Sequence, residues 1–489
     1  MPVPQVRTLD DSEITLASTD IESLAASLRG PLVTPGTPGY DEARTVWNAM
    51  HDRHPALVAR CASAADVVHA VRFARDKRLL VAVRGGGHNV GGLAVADGAF
   101  LIDLSLMRGV RVDPSSRTAT VEPGCTLADV DHDAQAFGLA LPVGVNSTTG
   151  IAGLTLGGGF GWLSRKFGLT IDNLNAVDIV TANGELIRAD RTHHADLFWA
   201  IRGGGGNFGI VTSFEFRLHV FGPTILAGLV VHPIADARDV LRYYAKFTST
   251  ADDSTVCWFV LRKAPPLPFL SPEYHGKEIL ALAMAHLGEQ AEGEEALQPI
   301  RRFGHPIADV VGPMPYTAWQ QILDPLLAPG MRNYWKSNDF TALSDGLIDV
   351  FLDFAARIPD PQTEIAFAQL GGAIEEVPWN ATAYTHRDAQ YTVNLHTRWA
   401  DPSNDAACIQ WARDLFNATA PFATGGVYVN FLTADETERV HQAYGSNYGR
   451  LLELKRQYDP SNLFRVNNNI RPGIPSLPMG TASVDVRIA

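Results

Sequence analysis

Three short clusters, "RGGGHNVGG", "GIAGLTLGGGFG" and "RGGGGNFG", crowd glycine into the stretch from Arg84 to Gly209. An ordered glycine costs about 0.5–1 kcal/mol relative to alanine, so each cluster needs a physical reason. Tight turning is one, and close approach of a bulky ligand to the backbone is another. The first cluster also sets a single histidine, His88, among five glycines. Three such clusters in one stretch favour backbone proximity to something large, with structural turns alone as the alternative.

Generic phosphate-binding motifs do not account for the clusters. No G-x-x-x-x-G-K-[ST] string occurs. Gly204, Gly206 and Gly209 formally match G-x-G-x-x-G, but "IVTSFEFRL" after them reads as a strand. A dinucleotide fingerprint must instead open a helix whose N-terminus meets the pyrophosphate. An NAD-dependent dehydrogenase is therefore the weakest option. What fits is a cradle of glycine turns whose amides surround a large anionic cofactor, a nest without a helix.

The chain of 489 residues is 46% hydrophobic and 19% charged, with net charge −13 spread along its length. That acidity, without a basic stripe, argues against nucleic acid and anionic membranes as partners. The first twenty residues lack the apolar core of a secretion signal, and no stretch of 18 apolar residues offers a membrane span. Cys61, Cys125, Cys257 and Cys408 are widely spaced and form no CxxC, so four separate thiols are expected. A cytoplasmic enzyme is the expectation, with oligomeric state left open.

Secondary-structure signals divide the chain. Up to about Pro223 many short strands alternate with few helices, such as the Ser63-capped "SAADVVHAVRFARDK" and the Thr126-capped "TLADVDHDAQAFG". "NFGIVTSFEFRLHVF" reads as one long strand and Asn183-Gly184 as a hairpin turn. Beyond it, "ILAGLVVHPI", Ile279–Gly288 and "EIAFAQLGGAIEEV" read as strands of a broad antiparallel sheet, with helices between. "KAPPLPFLSP" is a loop by composition.

Taken in order, "VRGGGHNVGG", "GLALPVGVNSTTGIAGLTLGGGFGWLSRKFGLTIDNL", "DLFWAIRGGGGNFGIVTSFEF" and the closing "YGSNYGRLLELKRQYDPSNLFRVNNNIRP" resemble the berberine-bridge-enzyme-like oxidoreductases. These are FAD enzymes of the vanillyl-alcohol-oxidase type. The resemblance implies an α+β fold with a two-subdomain PCMH-type FAD-binding domain over residues 1–223, its core about 50–220. It implies a substrate domain over 224–425, a large antiparallel sheet flanked by helices. Residues 426–489 would return to the flavin domain.

The resemblance further implies that FAD is linked covalently through His88. The second link common in the family comes from a cysteine in G-x-C-P-T-x-G; here Asn146 stands in its place within Gly144–Gly150. A single histidyl tether is therefore expected. Arg84, Gly85, Gly86, Gly87, Asn89, Val90 and Gly91 would wrap the pyrophosphate and ring edge. Asn146, Thr149, Gly150, Gly153, Leu156, Gly157, Gly158 and Gly161 would form a second wall. Gly209, Ile210 and Val211 would approach the adenosine half, and Asn467 and Asn469 would close over the ring.

The substrate half is less explicit. The family's Y-x-N-Y strand appears as Tyr428-Val429-Asn430-Phe431, without the second hydroxyl. The family acid falls near Tyr391–Thr392, in a strand that has none. Alternation puts Thr392, Asn394, His396 and Arg398 on one face. Asn394, His396, Tyr428 and Asn430 are the catalytic candidates, with His396 as a candidate base, although an exposed strand face explains the pattern equally well. Tyr316, Tyr334, Trp335 and His386 are further candidates for the pocket. The resulting expectation is an oxidase moving a hydride from a small amine, alcohol or specialised metabolite to flavin, with O2 as reoxidant. A dehydrogenase with another acceptor, an oligosaccharide oxidase and a non-catalytic flavoprotein are the alternatives.

Overall fold

The computed structural model describes residues 4–473, so the last sixteen residues of the closing segment lie outside the described residues. Three sheets carry the architecture. The first joins β1 (Leu32–Val33), β2 (Leu57–Arg60), β3 (Val81–Arg84) and β4 (Phe100–Asp103) in the order β1-β2-β4-β3. Both β2 and β3 run parallel to β4. The helix Ala64–Asp76 makes the crossover, its Val67, Ala70, Val71 and Ala74 buried against the sheet. One parallel crossover therefore stands among the short strands of this region.

The second sheet holds β5 (Val110–Asp113), β6 (Thr118–Val121), β7 (Leu174–Val180), β8 (Leu186–Asp190) and β9 (Ile210–Arg217), ordered β8-β7-β9-β6-β5. The run expected as one strand breaks at Leu218, and His219–Val220 pairs instead with Leu139–Ala140. Leu127–Gln135 packs beside this sheet under a capping box, in which Thr126 and Asp129 satisfy each other's backbone N–H. Replacing Thr126 by alanine is expected to lower stability by about 1 kcal/mol, measured by urea titration.

The third sheet is antiparallel and, among the described residues, eight-stranded. Its members are β10 (Thr224–Pro233), β11 (Thr255–Lys263), β12 (Glu278–His286), β13 (Ala308–Asp309), β14 (Gly312–Pro315), β15 (Arg332–Phe340), β16 (Glu364–Gln369) and β17 (Tyr391–Trp399). The order is β13-β10-β12-β11-β16-β17-β15, with β14 also on β10. One face packs on the helices Ala237–Thr248, Asp345–Ala355 and Asp405–Thr419 through Phe259, Leu282, Phe367, Val393 and Leu395. The opposite face turns toward the glycine clusters.

Two readings of local structure change. After β16 the chain turns through Gly371 (φ 74°) and Gly372 (φ 58°) into the short helix Ala373–Glu376. Both φ values lie where L side chains are strained, so the strand cannot run on. Val429–Phe431 is a 3-10 turn rather than a strand, with Phe431 N–H donating to the Tyr428 carbonyl at 2.9 Å. Among the described residues no helix is long and apolar enough to cross a membrane.

Candidate active site

A cavity of about 450 Å³ lies between the glycine clusters and the open face of the third sheet. Gly85, Gly86, Gly87, His88 and Asn89 line it from the first cluster, with Asn146, Thr149, Gly150, Gly153 and Leu156 from the second. Gly209, Ile210 and Val211 follow from the third, and Asn467 from the C-terminal segment. The clusters meet directly: a Cβ on Gly86 would sit 2.5 Å from both N and Cα of Gly150. Close backbone packing, rather than turning alone, explains these two glycines.

The remaining candidates support the cradle from behind. Arg84 pairs with buried Asp103 at 3.2 Å. The Val90 carbonyl accepts from Asn48 Nδ2 at 2.7 Å and meets His51 Nε2 at 2.9 Å. Gly91 leaves room for the backbone at Ala434, Gly157 for Asn430, Gly158 for the rings of Tyr384 and Tyr428, and Gly161 for the Val143 carbonyl. Asn469 does not line the cavity; Asn468 does, beside Asn467. The second cluster also contains a helix, Ile151–Gly157 with Gly150 as its N-cap, which corrects the expected helix-free nest. Gly205, Asn207 and Trp47, none of them a candidate from sequence, also line the cavity, as does Gly206 of the rejected dinucleotide match.

His88 is held on two sides. Its ring stacks on Trp47, centroids 5.1 Å apart and planes 22° from parallel. Its Nε2 lies 2.9 Å from Thr148 Oγ1. Thr148 gives both its backbone N–H (3.1 Å) and its hydroxyl proton (2.8 Å) to Asn146 Oδ1. The hydroxyl can then only accept from Nε2–H, which leaves the imidazole lone pair on Nδ1. Burial lowers the ring's pKa to about 3. It is therefore a neutral imidazole, partly open to the cavity, at any physiological pH.

The sheet side also departs from expectation. His396 lines the cavity, but Nδ1 faces Glu364 Oε1 at 3.3 Å and Nε2 faces Asn333 Oδ1 at 3.1 Å. Burial lowers its pKa against the pull of Glu364. A neutral ring can donate to only one of these oxygens, but both nitrogens are turned to protein atoms and away from the cavity space, so the candidate base is a structural histidine. Tyr428 Oη accepts from Gly159 N–H and from Asn430 Nδ2, each at 2.9 Å. Burial pushes this phenol up to about 12, so it stays protonated. Asn430 also donates to the Leu154 carbonyl at 3.2 Å, and Asn394 presents a buried Oδ1 without a partner.

The acid missing from β17 is on the next strand. Glu364 is the only carboxylate lining the cavity among the described residues, and it pairs with Arg262 at 2.6 Å. Burial alone would raise its pKa; Arg262 and His396 outweigh burial and hold it below the ordinary value. Of the other candidates only Trp335 reaches the cavity. Tyr316 is a core side chain, Tyr334 bonds Asp435 at 2.7 Å, and His386 meets the Gln442 carbonyl.

A cradle of glycine backbone, an apolar wall and buried polar atoms left for a ligand, Asn467 Oδ1 among them, fits a large planar nucleotide cofactor. Fold and site together define an FAD-binding oxidoreductase. Residues 55–190 match the model of the FAD binding domain, and residues 427–471 match that of berberine and berberine-like proteins. An FAD-linked oxidoreductase of Dictyostelium discoideum is 32% identical over 456 residues, covering 92% of this chain and 97% of its own. (R)-6-hydroxynicotine oxidase of Paenarthrobacter nicotinovorans is 31% identical, covering 91% and 97%. The crystal structure of 6-hydroxy-D-nicotine oxidase from Arthrobacter nicotinovorans superposes with TM-score 0.82 at 28% identity, over 94% of this chain and 100% of that one. The chain belongs to the berberine-bridge-enzyme-like family of FAD-linked oxidoreductases.

Proposed function

We propose that this protein is an oxidase that takes a hydride from a carbon of a small amine, alcohol or specialised metabolite into an FAD tethered by His88 alone, with O2 as reoxidant. When bound, FAD supplies the two-electron acceptor at its N5. The observation that carries the reading is the neutral, clamped imidazole of His88 at the cavity wall. Asn146 occupies the position of the family's second linking residue. Cys125, the nearest thiol in sequence, points to the Gly109 carbonyl, and burial raises it to about 12. The oxidase named among the relatives supports the same reading. Tyr428 acts here as a proton donor rather than a base, and Glu364 as a fixed negative charge balanced by Arg262.

Acid precipitation tests the tether. Wild-type protein should carry its yellow colour into the pellet, and His88→Ala should release all of it. A flavin peptide containing any cysteine would overturn the single link. Bleaching the enzyme with substrate under nitrogen and then admitting air tests the oxidant: recovery within seconds supports an oxidase. Slow recovery would favour the second reading, a dehydrogenase, for which the polar Thr149 in the cavity wall speaks.

A further inference from the structure

The register of the third sheet sets out the cavity floor in rows. One row runs Ile279, Arg262, Glu364, His396, Trp335 across β12, β11, β16, β17 and β15. The next runs Val231, Ala281, Val260, Ala366, Asn394, Ser337 from β10 to β15. Directly paired residues share a face, so each row is a continuous strip of floor.

The strip changes character along its length. Its β17–β15 end holds Trp335 Nε1, Thr392 Oγ1 and Asn394 Oδ1, all buried and without a partner. A buried polar atom left unpaired costs about 1–3 kcal/mol, so such a group at a cavity points to a ligand. Its β10–β12 end is apolar, with Leu229, Val231, Val260 and Ile279 on the floor and Leu267 and Leu270 in the loop above. Between them only Val260 separates Ala366 from Ala281, which leaves a shallow alanine trough along this row; in the row beyond, Ala283 and Ala368 lie to either side of Trp258. The two formal charges at the floor, Arg262 and Glu364, neutralise each other.

We infer that the substrate is an uncharged hydrophobe bearing a hydroxyl, its hydroxyl at Asn394 and Trp335 and its apolar body along the alanine trough toward Val231 and Leu267. A hydroxyl both donates and accepts, which suits the Asn394 carbonyl oxygen and the Trp335 indole N–H together. Asn394 lies three strand spacings from Ala281, about 14 Å, so the body is elongated. An oligosaccharide would leave its many hydroxyls against alkyl walls, and a cationic amine would find its one carboxylate already paired. This assignment rests on the oxidase reading and narrows its substrate.

The test is binding of 4-ethyl-, 4-butyl-, 4-hexyl- and 4-octylphenol to the oxygen-free holoenzyme, followed by calorimetry and by the flavin absorbance. Affinity should rise about fourfold for each added methylene until the trough is full. Ala281→Leu should leave ethylphenol within twofold of wild type and weaken octylphenol at least tenfold. Asn394→Leu should weaken the phenols about tenfold but leave the corresponding alkylbenzenes unchanged. An affinity independent of tail length, or tighter binding of cellobiose or hexylamine than of hexylphenol, would overturn the assignment. Binding that tracks tail length while no ligand of any class bleaches the flavin would sink the oxidase reading instead and leave the trough intact.

Discussion

Asp459→Ala should destabilise the protein by about 3–5 kcal/mol, the cost of leaving a buried charge without its partner. Lys455 and Asp459 are both fully buried, their ion pair 2.6 Å long. The Lys455 ammonium also donates to the carbonyls of Asn207 (2.8 Å) and Phe464 (3.0 Å). The Asp459 carboxylate accepts from the backbone N–H of Leu463 (2.8 Å) and Phe464 (2.9 Å). Alanine would strand the ammonium and both amides at once. Because Asn207 belongs to the cavity wall, the loss reaches the cofactor. Asn207 Oδ1 accepts from Ile470 N–H and its Nδ2 donates to the Asn468 carbonyl, fixing the C-terminal segment against the third cluster. Chemical denaturation should therefore show the destabilisation, with the flavin absorbance shifting to its solvent-exposed form at lower denaturant than in wild type. Double replacement, Lys455→Met with Asp459→Leu, should recover only part of the loss: neither charge is then left alone, but the amides of Leu463 and Phe464 and the carbonyls of Asn207 and Phe464 stay unpaired. A single variant as stable as wild type would mean that water reaches this pair.

The parts of the site that the sequence discloses are those written in backbone demands. Glycine clusters mark close approach whatever the tertiary arrangement, so Gly85–His88, Gly150–Leu156 and Gly209–Val211 reach the cavity as expected. Period-2 alternation likewise places Thr392, Asn394 and His396 on the cavity face. What alternation cannot give is the neighbour across the strand. His396 loses its candidate role as a base because register sets it beside Glu364 and β15 brings Asn333 to its other nitrogen. Glu364 itself was accessible in principle: "TEIAFAQ" alternates so that Glu364, Ala366 and Ala368 share a face. Trp47 carried no such signal. It stands forty-one residues before His88, and its backbone N–H to the Gly87 carbonyl (3.0 Å), its indole N–H to the Leu327 carbonyl (2.9 Å) and the bonds of Asn48 to Val90 and Asn333 bring its ring onto the imidazole.

Given the tether proposed at His88, Gly86→Ala should yield a folded protein that carries little or no covalent flavin. The added Cβ would lie 2.5 Å from two backbone atoms of Gly150, and neither is the end of a flexible side chain. Overpacking of this kind costs about 1–3 kcal/mol when the structure can shift to absorb it. Here the shift must separate the first two glycine clusters, which are the opposed walls of the cradle. His88 is two residues on, and its contact with Thr148 at 2.9 Å spans the same gap. Moving either wall breaks that contact and frees the ring to rotate away from the geometry that leaves Nδ1 unprotonated. The stability loss would thus be modest while the loss of attachment is nearly complete. The ratio of flavin absorbance to protein absorbance after acid precipitation reads the second, and thermal unfolding reads the first. Gly449→Ala is the matched control. Its Cβ meets nothing within 4 Å and it sits within the helix Tyr448–Tyr458, so it should gain up to about 1 kcal/mol and keep its flavin. If Gly86→Ala loads flavin as fully as Gly449→Ala, the contact between the clusters is not what seats the histidine.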